Sequence, residues 1–252
     1  MTPPTVFDID PVISATWPAA SIKSVGPFTA RSGGGGQRAC AATANGPVSA
    51  GDIAALEQAT EQSGETLVRV RGWEGELDQM LDGLRYEKRD PTHILVGPVA
   101  PVADRPLPLV SAFAIWPPLA IMDELWEEND IGPDRRANMV RVAGPKIGLL
   151  GRGSDQPGGV GFVATHGNVA MIHAVAVSAH LRRQKIAENM MVSAGKWAQD
   201  VGVDWLATLC TYQNTAALSL YESFGMKVVG TYHYRAKKTA RGRMLRQAND
   251  TR

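Results

Sequence analysis

A chain of 252 residues can form one large domain or two small ones. Its 44% apolar and 20% charged content are those of a globular protein rather than a disordered one. The formal net charge of +1 gives no electrostatic footprint for nucleic acid, and no apolar run approaches the ~20 residues of a membrane helix. Cys40 and Cys210 stand far apart, without metal-ligand spacing or a disulfide framework. No metal site is expected. The acidic start, M-T-P-P-T-V-F-D-I-D, lacks the basic and apolar regions of a signal peptide, so a cytoplasmic protein is expected.

Taken in chain order, Pro27 to Arg31 and Gln37 to Ala44 read as two strands around the tetraglycine Gly33 to Gly36. The glycines read as a hairpin tip rather than a phosphate cradle, because no helix start is expected directly after them. Ser49 and Asp52 form a capping box for a helix with Ile53, Leu56 and Ala59 on one face. Thr66 to Val70 reads as a strand. Leu77, Met80, Leu81 and Leu84 recur at i, i+3, i+4, i+7, an amphipathic helix, and Tyr86 to Val99 returns as extended chain. The proline-rich run G-P-V-A-P-V-A-D-R-P-L, residues 97–107, reads as a domain boundary.

Beyond it, Leu109 to Ile115 reads as a strand, Pro118 to Glu128 as a helix and Pro133 to Arg141 as a second short helix. Lys146 to Leu150 and Val160 to Thr165 read as strands joined by G-R-G-S-D-Q-P-G-G. The turn His166-Gly167-Asn168 leads into a strand over Val169–Val177. Ile186, Met190, Ala194, Trp197 and Val201 make a helix stripe. Asp204 to Thr211 is then a strand, Thr215 to Phe224 a helix closed by Gly225, and Met226 to Arg235 a last strand. The remainder, with Lys237, Lys238, Arg241, Arg243 and Arg246, reads as a solvated terminus rather than a binding arm.

Two blocks carry the chemistry. V-A-V-S-A-H-L-R-R-Q-K-I-A, residues 175–187, runs from a strand through a basic turn into a helix. A helix start presents unpaired N–H groups and the positive end of a dipole, which attract phosphate. Y-Q-N-T-A-A-L-S-L-Y, residues 212–221, reads as a short helix ending in a tyrosine. Arg182-Arg183-Gln184-Lys185-Ile186-Ala187 is similar to the Arg/Gln-x-x-Gly-x-Gly/Ala loop of the Gcn5-related N-acetyltransferase (GNAT) family. Asn214, Ala217, Leu220, Tyr221 and Gly225 are similar to that family's downstream N-x-x-A-x-x-L-Y-x-x-x-G pattern. One position departs: Lys185 stands where the family has its first loop glycine. The resemblance covers about Pro108 to Arg235.

The resemblance implies an α/β fold, a mixed and mostly antiparallel sheet flanked by helices, with acetyl-CoA as co-substrate. It implies a catalytic domain over 108–236, a degenerate domain of similar design over 1–100 and a basic tail over 237–252. The degenerate domain has Asn45-Gly46-Pro47 where the loop would be, and Pro47 has no N–H to offer a phosphate. The diphosphate would lie on the backbone of Arg183, Gln184, Lys185, Ile186 and Ala187, with Arg182 adding charge. Pantetheine would pair with the strand edge at Val175, Ala176 and Val177, and Asn214 and Ala217 would sit beside it. Tyr221 would donate a proton to the departing thiolate. His173 alternates with Val175 and Val177 in sequence and is the candidate base; His166 and Tyr212 are weaker ones, and Glu188 and Glu222 read as solvated. Cys210 has no base beside it in sequence, so direct attack by a primary amine in a ternary complex is expected rather than an acyl-cysteine.

The acceptor, a small-molecule or peptide amine, is unidentified. Trp126 with Glu127, Glu128 and Asp130 suits a cationic amine and equally makes an ordinary solvated helix end. Neither a nucleic-acid nor a membrane partner is expected, and a homodimer is compatible with the sequence. The alternative function is a non-catalytic acyl-CoA-binding protein.

Overall fold

The protein is described by a computed structural model, and the structure describes residues 2–242. Helix α1, Val6–Thr16, was not expected. Its signal is a capping box: the Asp8 carboxylate accepts from the Thr5 amide at 2.8 Å and from the Thr5 hydroxyl at 2.7 Å. It buries Ile9, Val12 and Ile13. Strands β1 (Ser21–Val25), β2 (Phe28–Ser32) and β3 (Thr43–Ala44) form a small antiparallel sheet. The expected strand from Gln37 instead begins with one helical turn, α2 (Gln37–Cys40), directly after Gly36 at φ 84°. That turn corrects the expectation that no helix start follows the glycines.

Helix α3, Ala50–Ala59, opens on the expected box: Ser49 Oγ accepts from the Asp52 amide, and Asp52 accepts from the Ser49 amide at 2.9 Å. Strand β4 (Glu65–Arg71), helix α4 (Gly75–Gly83) and strand β5 (Glu87–Pro98) follow as their patterns predict. The proline-rich boundary contains one helical turn, α5 (Ala100–Ala103). The strand expected from Leu109 is shorter, β6 (Ala112–Ile115), with Leu109 and Val110 exposed on its approach. Helices α6 (Ala120–Glu127) and α7 (Pro133–Arg141) are present.

Strands β7 (Lys146–Gly153) and β8 (Gln156–His166) run far into the glycine segment, leaving only Ser154 and Asp155, both at positive φ, as the turn. Glycine is needed there because a helix lies directly on the strands. A Cβ at Gly151 would stand 2.6 Å from Ile186 Cγ2, and one at Gly159 2.5 Å from the same atom. Strand β9 is Val169–Val177, α8 is Ile186–Asp200, β10 is Trp205–Thr211, α9 is Thr215–Ser223 and β11 is Lys227–Lys238.

The chain divides into two compact units, not at the expected proline-rich boundary near residue 100. The larger contains the chain up to Pro18 with His93–Gly230, and the smaller contains Ala19–Thr92 with the chain from Thr231. The difference arises because β5 and β11 are long strands, each contributing a part to each unit. Lys237 and Lys238, assigned from sequence to a tail, are strand residues of β11 paired with Thr66 and Glu65 of β4. Arg243 and Arg246 lie outside the described residues.

The expected mixed, mostly antiparallel sheet is present. In the larger unit the strand order is β11-β5-β10-β9-β8-β7-β6. Its core joins Ile147, Leu149 and Val163 of the sheet to Ile186, Met190 and Ala194 of α8 and to Tyr221 and Phe224. The smaller unit packs Ile53, Leu56, Leu77 and Leu81 of α3 and α4 against Val68 and Val70 of β4. No helix among the described residues is long and apolar enough to cross a membrane.

Candidate acyl-transfer site

In the larger unit, β9 and β10 are parallel neighbours only from Val169↔Trp205 to Ile172↔Thr208. Beyond Ile172 the two strands part. Against β8, β9 is bulged there: Phe162 faces His173 and Val160 faces Ala176, so Ala174 and Val175 together oppose the single residue Gly161. Ala174 sits at φ 51°. The amide of Ser178 donates to Gly158 O at 2.9 Å, toward β8. Backbone groups alternate in direction along a strand, so those of Val177 and Val175 point away from β8, into the gap. This is the edge expected to receive pantetheine; Ala176 turns its backbone toward β8.

The bulge corrects one expectation. The extra residue shifts the alternation, so His173 shares a face with Phe162 and Ala176, not with Val175 and Val177. His173 is 3% exposed, with its ring 5.1 Å from that of Trp17 and 6.3 Å from that of Phe162. Its Nε2 lies 2.8 Å from Thr16 Oγ1. The single Thr16 hydroxyl proton is donated to Val12 O at 2.7 Å, so Nε2 carries the imidazole proton and donates to Thr16.

After β9 the chain makes a 3-10 turn, Ala179–Leu181, and enters the basic loop. Arg183 and Lys185 are both left-handed, at φ 69° and 61°. Each such non-glycine residue costs roughly 1–2 kcal/mol. The loop is braced by Gln184, whose Oε1 accepts from Ser154 Oγ at 2.8 Å. Gln184 therefore serves the turn with its side chain. Lys185 is the residue before α8, and no side chain caps that helix. Its first N–H groups and dipole end face a cleft of about 550 Å³ lined by Arg182, Arg183, Lys185 and Ala187. Across the cleft stand Ala216 and Ser219. Three cations against the single carboxylate of Glu188 give the cleft a net positive lining.

Asn214 does not line the cleft. Its Oδ1 accepts from the Ala217 amide at 3.1 Å, capping α9, while Ala217 packs on the core. Tyr221, on α9, also lies outside the cleft lining, buried with its phenol beside Thr208. Thr208 is the last β10 residue paired with β9, and its hydroxyl donates to Ile172 O at 3.2 Å. The phenol thus stands where the strands part. Burial raises its pKa, outweighing the opposing effect of the nearby Thr208 hydroxyl, and keeps it protonated at neutral pH. Burial likewise raises the Cys210 thiol, which donates to Asn214 O at 3.3 Å, so it is not an activated nucleophile.

Sequence reasoning missed Thr208, Ser154, Ala216, Ser219 and Ser223. The last four had signals: two polar residues in a turn flanked by glycines, and small residues at 216, 219 and 223 along one stripe of α9. Of the acidic stretch proposed for an amine, Trp126 is fully buried, and Glu127 Oε2 accepts from Arg136 Nη1 at 2.7 Å. Among the described residues, no three of His, Cys, Asp and Glu are placed to hold a metal.

The smaller unit repeats the order strand, helix, strand, helix, strand in β3, α3, β4, α4 and β5. Ala42, just before β3, pairs in parallel with Val68 of β4, donating to Leu67 O and accepting from Arg69 N, both at 2.8 Å. Here the gap is filled: Arg71 of β4 reaches across to Ala44 O and to Glu74. The helix start is also occupied, by Ser49 and Asp52. The two units therefore differ in whether the helix start is capped by side chains.

Residues 119–226 match the model of the Acetyltransferase (GNAT) family. No curated protein is detectably similar in sequence. Solved structures share the fold. A functionally unknown conserved protein from Staphylococcus epidermidis superposes with a TM-score of 0.66 at 11% identity, covering 88% of this chain and 95% of that one. A GCN5-related N-acetyltransferase from Kribbella flavida gives 0.65 at 15% identity, covering 90% and 94%. A tandem GNAT protein from the clavulanic acid biosynthesis pathway gives 0.58 at 11% identity, covering 92% and 87%. The matched segment contains the bulged strand, the uncapped helix start and Tyr221, and the chain thus carries a GNAT-family domain over residues 119–226.

Proposed function

We propose that the protein transfers an acetyl group from acetyl-CoA to a primary amine in a ternary complex. The observation that carries this reading is the uncapped start of α8, opening with three basic side chains onto a cleft beside the gap between β9 and β10. The diphosphate suits that helix start, and pantetheine suits the free edge at Val175 and Val177. The amine nitrogen attacks the thioester carbon; a C–N bond forms, the C–S bond breaks, and the coenzyme leaves as a thiolate. The buried phenol of Tyr221, beside the parting of β9 and β10, is assigned to that thiolate as a hydrogen-bond donor. Its raised pKa lies above the ~8.5 of an ordinary thiol, so it shares its proton until solvent supplies one.

No base role is built on His173, whose Nε2 is committed to Thr16 and whose ring is packed among aromatics. The amine sheds its proton to water. The same observation favours a second reading, acyl-CoA binding without turnover. Thiol release from acetyl-CoA with a panel of amines separates the two. Amine-dependent release that falls in Tyr221→Phe supports the transferase, and binding with no release on any amine supports the second reading.

A further inference from the structure

We propose that Trp126 is a positioning residue for acyl transfer, its indole N–H fixing the β9 bulge whose amides face the thioester; this rests on the transferase reading above. Trp126 is fully buried at the end of α6, and Nε1 donates to Ala174 O at 3.0 Å. Ala174 is the left-handed residue of the bulge. A carbonyl turned out of a sheet ladder and half-buried needs a donor, and the indole supplies it. That bond fixes the peptide plane that the Ala174 carbonyl shares with the Val175 N–H, which therefore points the opposite way, into the gap where the thioester carbonyl would lie.

The surroundings hold the indole in place. Gly148 of β7 leaves room for Met122, one turn before Trp126 on α6; a Cβ there would stand 2.5 Å from Met122 Cε, while the indole Cη2 lies in ordinary contact at 3.7 Å. The Trp126 carbonyl closes α6 by accepting from the Ile131 amide at 2.9 Å. Arg136 then locks the turn, donating to Ile131 O at 3.0 Å and pairing with Asp123 at 3.1 Å. An oxyanion donor works only when pre-aimed, so loosening the bulge should impair the chemical step more than binding.

The test is Trp126→Phe, which keeps the ring and removes the donor. The expected result is a fall in kcat of tenfold or more, with the KM values for acetyl-CoA and amine within twofold of the parent. Adding Ala174→Gly, which removes the side chain opposing the left-handed conformation, should restore kcat to within threefold. If Trp126→Phe does not fold, the double variant carries the test alone, and a tenfold loss there overturns the proposal. An unchanged kcat in Trp126→Phe, or kcat and KM worsening together, overturns it as well. Failure of the transferase reading is seen separately, as absence of turnover in the parent protein.

Discussion

Replacing Lys185 separates what its backbone does from what its side chain does. At φ 61° a lysine costs about 1 kcal/mol relative to glycine, so Lys185→Gly relieves roughly that amount. Glycine also loses more freedom on folding, about 0.4–1 kcal/mol, and the two effects nearly cancel. The unfolding midpoint should move by less than about 2 °C. Binding should respond differently. Lys185 is exposed beside an uncapped helix start, where one charge is worth about 0.3–1 kcal/mol to an anion, a factor of about two to five in Kd. Acetyl-CoA should therefore bind Lys185→Gly about two- to fivefold more weakly, with a shallower dependence on ionic strength. Lys185→Ala should lose the same affinity and retain the strain. Calorimetry at two salt concentrations reads both quantities. Equal affinity and equal salt dependence in the parent and both variants would refute the assignment of the lysine charge to the diphosphate.

Tyr221→Phe should lower kcat about a hundredfold with the KM for acetyl-CoA unchanged, and an undiminished kcat would remove the phenol from the reaction. Because an amine of ordinary pKa must shed its proton unaided, log(kcat/KM) should rise with a slope near one between pH 6 and 9; a plateau near pH 6.5 would reveal a histidine base. The raised pKa of Tyr221 places any alkaline decline it causes above pH 10. Stability carries a related signature. Burial raises Tyr86, Tyr221 and Tyr234 above the unfolded value of about 10. Their stabilising contribution is complete below pH 10 and is lost as pH climbs toward the folded values, by up to about 1.4 kcal/mol per pH unit for each group. Urea midpoints should be flat from pH 8 to 9.5 and fall beyond 10; a flat line to pH 11 would contradict the burial. Gly151→Ala should destabilise by about 1–3 kcal/mol in urea denaturation, since the new methyl meets Ile186 and Met190; a neutral result would mean that α8 lies farther from the strands.

Much of this arrangement was legible before the structure. The strand Val169–Val177, the helix from Ile186 and the helix from Thr215 have the expected bounds to within a residue or two, because each is set by a strong period and a clear stop. The loop position of Lys185 was readable as a departure from glycine, and the structure gives it the left-handed backbone that glycine favours. The face of His173 was not legible. Alternation assumes an unbroken ladder, and one extra residue at Ala174 reverses every face before it relative to those after it. The glycine run from Gly151 to Gly159 read as a loop because glycine marks turns, whereas here it marks contact with Ile186 and Met190. Trp126 read as part of a surface acidic patch because the partner that buries it, the Ala174 carbonyl, lies 48 residues away in the chain. Helix α1 is not legible in the sequence because Pro11 interrupts its pattern and its capping box ends in aspartate rather than glutamate.

The central claim is that one cleft, at the start of α8, receives acetyl-CoA, while the corresponding gap in the smaller unit is filled by Arg71 and its helix start by Asp52. Titration calorimetry of the whole chain with acetyl-CoA tests it most directly. The account predicts saturable binding at one molecule per chain, abolished when Ala187 is replaced by the longer Glu at the cleft-lining start of α8. Two molecules per chain, or no heat of binding at millimolar ligand, would contradict it.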